Sequence, residues 1–171
     1  MKKKIRVMIV EDSAVVSALL EYSIGRDPRL EVCATAGSAE DALENYEEIA
    51  PDVIAMDIRL PGMDGLEATR QIMSKRPVPI VVVAASIESG KWNSTPIEAL
   101  RAGALSVLEK PAGLTHADFE ALSERLCTQL VIMSQVKLVT QHVRRERSWS
   151  EYIERPWSGE RGSSKMVGIV C

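Results

Sequence analysis

The stretch DVIAMDIRLPGMDG, residues 52–65, reads as a strand that runs into a carboxylate and then turns at once. Residues 52–56 read as a short strand that ends on Asp57. Leu60-Pro61-Gly62-Met63-Asp64-Gly65 is dense in turn formers and marks a loop. A helix follows from Gly65 to Lys75, with Leu66, Thr69, Ile72 and Met73 recurring on its inner side.

The same strand-then-helix unit repeats outward in both directions. Upstream, Ile5–Val10 is a strand, and Ser13 caps a helix with Val16, Leu19, Leu20 and Ile24 at helical spacing. Leu30–Ala36 is a second strand. Residues 38–41 then have capping-box spacing, with Asp41 in place of Glu or Gln, and open a helix through Ile49 that Pro51 closes. Downstream, Pro77 and Pro79 flank Ile80–Ala85, the most apolar stretch of the chain and a strand buried on both faces. Residues 97–102 belong to a fourth helix ended by Gly103, and 105–108 form a fifth strand stopped by Lys110-Pro111. A long helix is expected over 115–143, with Phe119, Leu122, Leu126, Leu130 and Met133 on one stripe. Such alternation implies an α/β fold, a five-stranded parallel sheet wound on both faces by helices.

In sheets of this kind ligands bind outside the carboxyl ends of the strands. Here the first strand ends in Glu11-Asp12, the third in Asp57 and the fifth in Lys110. One acidic residue after a strand is usually a turn or a cap. Three carboxylates and a lysine at one sheet edge are a site. Carboxylates about 4–6 Å apart repel by roughly 3–4 kcal/mol per pair at an effective dielectric near 20, so the cluster calls for a cation. Mg²⁺ suits it, being a hard ion that prefers oxygen ligands and retains water. Asp12 and Asp57 would ligate it, with Glu11 acting through water and the Arg59 backbone carbonyl as a further ligand. A free Asp57 oxygen can then attack an incoming phosphoryl group, with Mg²⁺ and Lys110 offsetting the charge that develops.

Composition is in keeping with this. Apolar residues make up 46% and charged residues 26% of 171, and a single Phe leaves an aliphatic core. From Arg144 onward six Lys/Arg face four Asp/Glu, so the tail is +2 and the body of the chain −5 of a net −3. An acidic body disfavours nucleic acid as a partner. No apolar run approaches a membrane span, and no signal-peptide pattern follows the Lys2-Lys3-Lys4 run, so a cytoplasmic protein is expected. Cys33, Cys127 and Cys171 are far apart and odd in number, which suits reduced packing residues. His116 and His142 are isolated.

The motifs IVEDS (9–13), DIRLPGMDG (57–65), and AGA (102–104) ahead of EKP (109–111) resemble the receiver domains of two-component response regulators. The resemblance covers about residues 5–143. It implies the flavodoxin-like receiver fold, phosphotransfer from a histidine kinase to Asp57, Mg²⁺ dependence, and a conformational change on the face formed by the fourth helix, fifth strand and fifth helix. It also implies that the Lys110–Pro111 bond is often cis. The chain departs from the pattern twice. Receivers carry a Ser or Thr at the end of the fourth strand, where strict register gives Ala84; Ser86 takes that role if the strand end is shifted. Receivers also carry an aromatic residue three before the lysine, where this chain has Val107. The signal would then pass by other means, such as rearrangement of the loop over 86–95.

Residues 144–165 read as a polar linker, and KMVGIVC, 165–171, contains a strand-like run over 166–171. That order, with DGLEATR (64–70) and PVPIVVV (77–83), resembles chemotaxis protein-glutamate methylesterases, in which a receiver and a linker precede an esterase domain. The expected organisation is a receiver over 1–143, a linker over 144–165 and the first strand of a missing C-terminal esterase domain over 166–171. No esterase activity is expected from this chain itself. A stand-alone receiver that acts by phosphorylation-dependent binding is the alternative. A haloacid-dehalogenase-like phosphatase would need Asp-x-Asp at the nucleophile, but Ile58 and Arg59 follow Asp57. A nucleotide-binding domain would need a glycine-rich loop after the first strand.

Overall fold

The structure, a computed structural model, describes residues 3–85, 95–110 and 116–138. Five strands and five helices alternate along them: β1 (Ile5–Val10), α1 (Ala14–Arg26), β2 (Leu30–Ala36), α2 (Ala39–Ile49), β3 (Val53–Met56), α3 (Gly65–Lys75), β4 (Ile80–Ala85), α4 (Thr95–Ala102), β5 (Ser106–Lys110) and α5 (His116–Met133). The strands form one parallel sheet in the order β2-β1-β3-β4-β5.

The alternation of side chains along each strand sorts the core into two layers. Met8, Val10, Ile54, Met56, Ile80 and Val82 face Ala39, Ala42 and Tyr46 of α2, Leu66, Ala68 and Ile72 of α3, and Ala99 and Ala102 of α4. Val7, Ile9, Val53, Ala55, Val81 and Val83 face Leu20 and Ile24 of α1 and Leu126 and Leu130 of α5. Both faces are therefore covered, which is why the central strands are apolar at successive positions. Each fully buried Val, Ile or Leu contributes about 1.5–3 kcal/mol.

Local signals place the helix ends. Ser13 Oγ accepts from the Val16 backbone N–H at 3.4 Å, and Ser38 Oγ from that of Asp41 at 3.2 Å. The capping box expected over 38–41 forms by only this arm, since Asp41 Oδ1 accepts from Asn45 Nδ2 at 2.8 Å. Past α4, the Gly103 N–H donates to Leu100 O and the Ala104 N–H to Ala99 O, both at 3.0 Å.

The expected helix over 115–143 is shorter in the structure and ends at Met133. The N–H groups of Gln135 and Val136 donate three residues back, to Ile132 and Met133, and Ser134 Oγ donates to Val131 O. The apolar stripe of Leu126, Leu130 and Met133 meets Lys137 one turn on, so continuing the helix would bury nothing. β5 extends beyond the expected 105–108 to Lys110 because Ala84 and Ala85 pair with Glu109 and Lys110. Ser86, the loop over 86–94, Pro111, the linker over 144–165 and the run over 166–171 lie outside the described residues. No helix among the described residues is long and apolar enough to cross a membrane.

Candidate functional site

In the order β2-β1-β3-β4-β5 the chain reverses its direction of winding between β1 and β3, which opens a crevice at their carboxyl ends. Glu11 and Asp57 are the first residues past those two strands. A register shift between Val7 and Met8 realigns β1 with β2, so that Val10 pairs with Ala36 and the Glu11 N–H donates to Ala36 O at 3.0 Å. The Asp57 N–H donates to Val10 O at 2.9 Å. Both carboxylates are thus fixed by main-chain bonds that continue the sheet. They are 5% and 6% exposed, while Asp12 is open to solvent.

One oxygen from each of Glu11, Asp12 and Asp57 lies within 4.8 Å of the others. Lys110 Nζ sits 2.6 Å from Glu11 Oε2 and 3.3 Å from Asp57 Oδ1. β5 is two strands from β3, a gap of about 10 Å at the usual spacing of parallel strands. The lysine side chain bridges that gap to reach Asp57. The Glu11 Oε1 atom accepts from the Ser13 N–H at 3.3 Å, and Asp57 Oδ1 from the Ile58 N–H at 2.9 Å. Among the described residues, these contacts of the Asp57 side chain all fall on Oδ1, so Oδ2 remains available to a ligand or an electrophile.

Three carboxylates and one ammonium leave two negative charges at the crevice, which a hard divalent cation would balance. Burial pushes the Glu11 carboxyl above its ordinary range, against the pull of Lys110, and the charge on Asp57 adds to the rise. A carboxyl whose pKa is raised on folding supports the fold below its unfolded value of 4.5 and loses that support as pH rises through its folded value. Glu11→Gln is therefore expected to melt about 2–4 °C above the unaltered protein at neutral pH without divalent metal. The gain should vanish as pH falls toward 4.5. A lower melting temperature at neutral pH would mean that the pair with Lys110 outweighs the desolvation.

The structure thus brings together Glu11, Asp12, Asp57 and Lys110, all read from the sequence. Arg59 is exposed two residues beyond Asp57, and Ser86 lies outside the described residues. Ala84, the strict-register position for a hydroxyl, is 6% exposed and has none to offer. Val107, in the usual aromatic position, is half-buried against the core opposite Val82. Cys33 and Cys127 are free thiols; burial raises both, Cys127 to about 11, so they are packing groups rather than nucleophiles.

Two contributors were legible in the sequence only in other roles. Ser13, read as a helix cap, also offers its N–H to Glu11. Gly65, read as a turn residue, packs directly on the Asp57 main chain, where a Cβ would lie 1.9 Å from the Asp57 carbonyl oxygen.

Residues 7–118 match the response regulator receiver domain family. The chain belongs to that family. The receiver is similar to protein-glutamate methylesterase/protein-glutamine glutaminase 2 of Paramagnetospirillum magneticum, with 53% identity over 100% of this chain and 49% of the relative. It is similar too to the protein of that name from Nitrosospira multiformis, with 43% identity over 82% of this chain and 39% of the relative. The chain thus spans about half or less of these curated relatives. Among solved structures, the response regulator domain of Thermotoga maritima CheB superposes with a TM-score of 0.71 at 34% identity, covering 80% of this chain and 100% of that domain.

Proposed function

We propose that Asp57 accepts a phosphoryl group from a histidine kinase in a Mg²⁺-dependent reaction, and that the acyl phosphate so formed regulates a methylesterase output. The observation that carries this reading is the buried Asp57 carboxylate at a strand end, 3.3 Å from Lys110 Nζ and clustered with Glu11 and Asp12. An Asp57 oxygen, Oδ2 in this geometry, forms the new O–P bond as the P–N bond to the kinase histidine breaks. The bonding pair leaves with the imidazole nitrogen, and the imidazole is protonated as it departs. Lys110 moves its ammonium from Asp57 Oδ1 toward a phosphoryl oxygen while Glu11 retains it from the other side.

Bound Mg²⁺ supplies charge neutralisation at the phosphoryl oxygens. Directly ligating oxygens can stand at most about 4.2 Å apart across a magnesium ion. Carboxylate oxygens within 4.8 Å of one another are close enough for one such ion to be held among them, directly or through water. Asp12 and Asp57 would hold the ion directly, Glu11 would act through water, and the Arg59 carbonyl would be a further protein ligand. Ser86 would offer its hydroxyl to the phosphoryl group if the end of the fourth strand shifts.

The relatives' names support a protein-glutamate methylesterase as the regulated output. In that reading, residues 1–143 are the receiver, 144–165 a linker, and 166–171 the first strand of an esterase domain not included in this chain. The receiver is then a phosphorylation-controlled module that acts in the cytoplasm.

Incubation of the full chain with acetyl phosphate and Mg²⁺ is expected to add the mass of one phosphoryl group, removable by hydroxylamine as an acyl phosphate should be. EDTA is expected to slow uptake by at least about 100-fold. No added mass, or uptake indifferent to EDTA, would overturn the mechanism.

A further inference from the structure

The loop that follows Asp57 is closed at its base, where the Gly65 N–H donates to Ile58 O at 2.9 Å. Its tip reaches a different element. The Met63 N–H donates at 2.9 Å to Glu40 Oε1, on a residue 23 positions upstream in the first turn of α2. Gly62 holds the left-handed conformation, with φ +76°, and a Cβ there would lie 2.7 Å from the same Glu40 oxygen. The carboxylate therefore lies against the Gly62–Met63 peptide, and a side chain at 62 would have to displace it. At the other end of the loop, Asp64 Oδ1 accepts from the Glu67 N–H and starts α3. Between base and tip lies Arg59, whose carbonyl is the further metal ligand of the reading above.

We infer that Glu40 is a positioning residue for the metal centre, clamping the loop tip so that the main chain at Arg59 is held for ligation. The inference rests on the Mg²⁺ reading of the Asp57 site. A charged acceptor on a main-chain N–H is stronger than a neutral one, and the positive end of α2 favours the carboxylate where it stands. Partners that orient ligands from outside the coordination sphere contribute substantially to metal affinity. A carboxylate could also act at a distance by charge alone, and the two modes respond differently to an amide. Gln keeps an oxygen that can accept from Met63 and loses the charge.

Calorimetric titration of the full chain with Mg²⁺ tests the clamp. Glu40→Ala is expected to weaken binding by about 5- to 10-fold, with a melting temperature in EDTA close to that of the unaltered protein. Glu40→Gln should restore affinity to within about twofold, because it retains the acceptor. Gly62→Ala, which strains the φ and displaces the Glu40 oxygen, should reproduce the loss seen with Glu40→Ala. Unchanged affinity in Glu40→Ala would overturn the inference. Equal weakening in Glu40→Gln would overturn it too, by assigning the effect to charge. If the unaltered protein binds no Mg²⁺, the metal-centre reading itself falls, whereas normal binding there with an inert Glu40→Ala removes the clamp alone.

Discussion

Asp57→Asn, incubated with acetyl phosphate and Mg²⁺, is expected to gain no phosphoryl group while remaining folded. The substitution is nearly isosteric, and the amide keeps an oxygen for the Ile58 N–H that Asp57 Oδ1 now accepts at 2.9 Å. What it removes is the anionic oxygen that would attack phosphorus. Lys110 keeps its shorter contact, 2.6 Å to Glu11, so the ammonium is not stranded in the crevice. Each pair of carboxylates at this separation repels by about 3 kcal/mol at an effective dielectric near 20, and the variant removes two such pairs. Its melting temperature without Mg²⁺ should therefore equal or exceed that of the unaltered protein, a familiar consequence of relaxing a strained functional site. The added stabilisation on Mg²⁺ binding should shrink, since a ligand has been neutralised. Intact mass and thermal melts in EDTA and in Mg²⁺ check all three expectations. Phosphoryl uptake by Asp57→Asn at the rate of the unaltered protein would move the acceptor to another side chain.

Much of this site was legible because its residues are tied to features that sequence displays locally. Asp57 ends an apolar run and begins a turn, Glu11 and Asp12 do the same, and Lys110 precedes a proline. A parallel sheet then gathers such strand ends at one edge, so local pattern and topology together locate the crevice. What stayed hidden depends on contacts between distant segments. Glu40 looks like any acidic residue in a first helical turn, and only the packing of α2 against the loop after β3 brings it to Met63. The end of α5 was misread for the opposite reason. Apolar residues persist in the sequence beyond Met133, but the stripe of Leu126, Leu130 and Met133 is broken at Lys137. The extra residues of β5 come from pairing with β4, which no reading of 105–108 alone could supply.

Gly65 makes the cost of a hidden contact measurable. Its backbone conformation is open to any residue, since it lies outside the left-handed positions of the chain. The constraint is steric: a Cβ would stand 1.9 Å from the Asp57 carbonyl oxygen, 2.9 Å from its carbonyl carbon and 3.1 Å from Ile58 Cα. All three are main-chain atoms at the end of a buried strand and cannot rotate aside. Gly65→Ala must push the start of α3 away from β3 or shift Asp57 itself. The first breaks the Gly65 N–H bond to Ile58 O, and the second misplaces the acceptor carboxylate. A loss of about 3 kcal/mol or more is expected, seen as a fall of roughly 10 °C in melting temperature. Phosphoryl uptake should drop even at temperatures where the variant is folded. Gly25, in α1, has nothing within 4 Å of its would-be Cβ. Gly25→Ala should therefore stabilise the protein by about 0.4–1 kcal/mol, since it restricts only the unfolded chain. Urea unfolding of the two variants side by side separates the effects. If Gly65→Ala unfolds with the same midpoint as the unaltered protein, the contact between α3 and the Asp57 main chain is looser than these distances require.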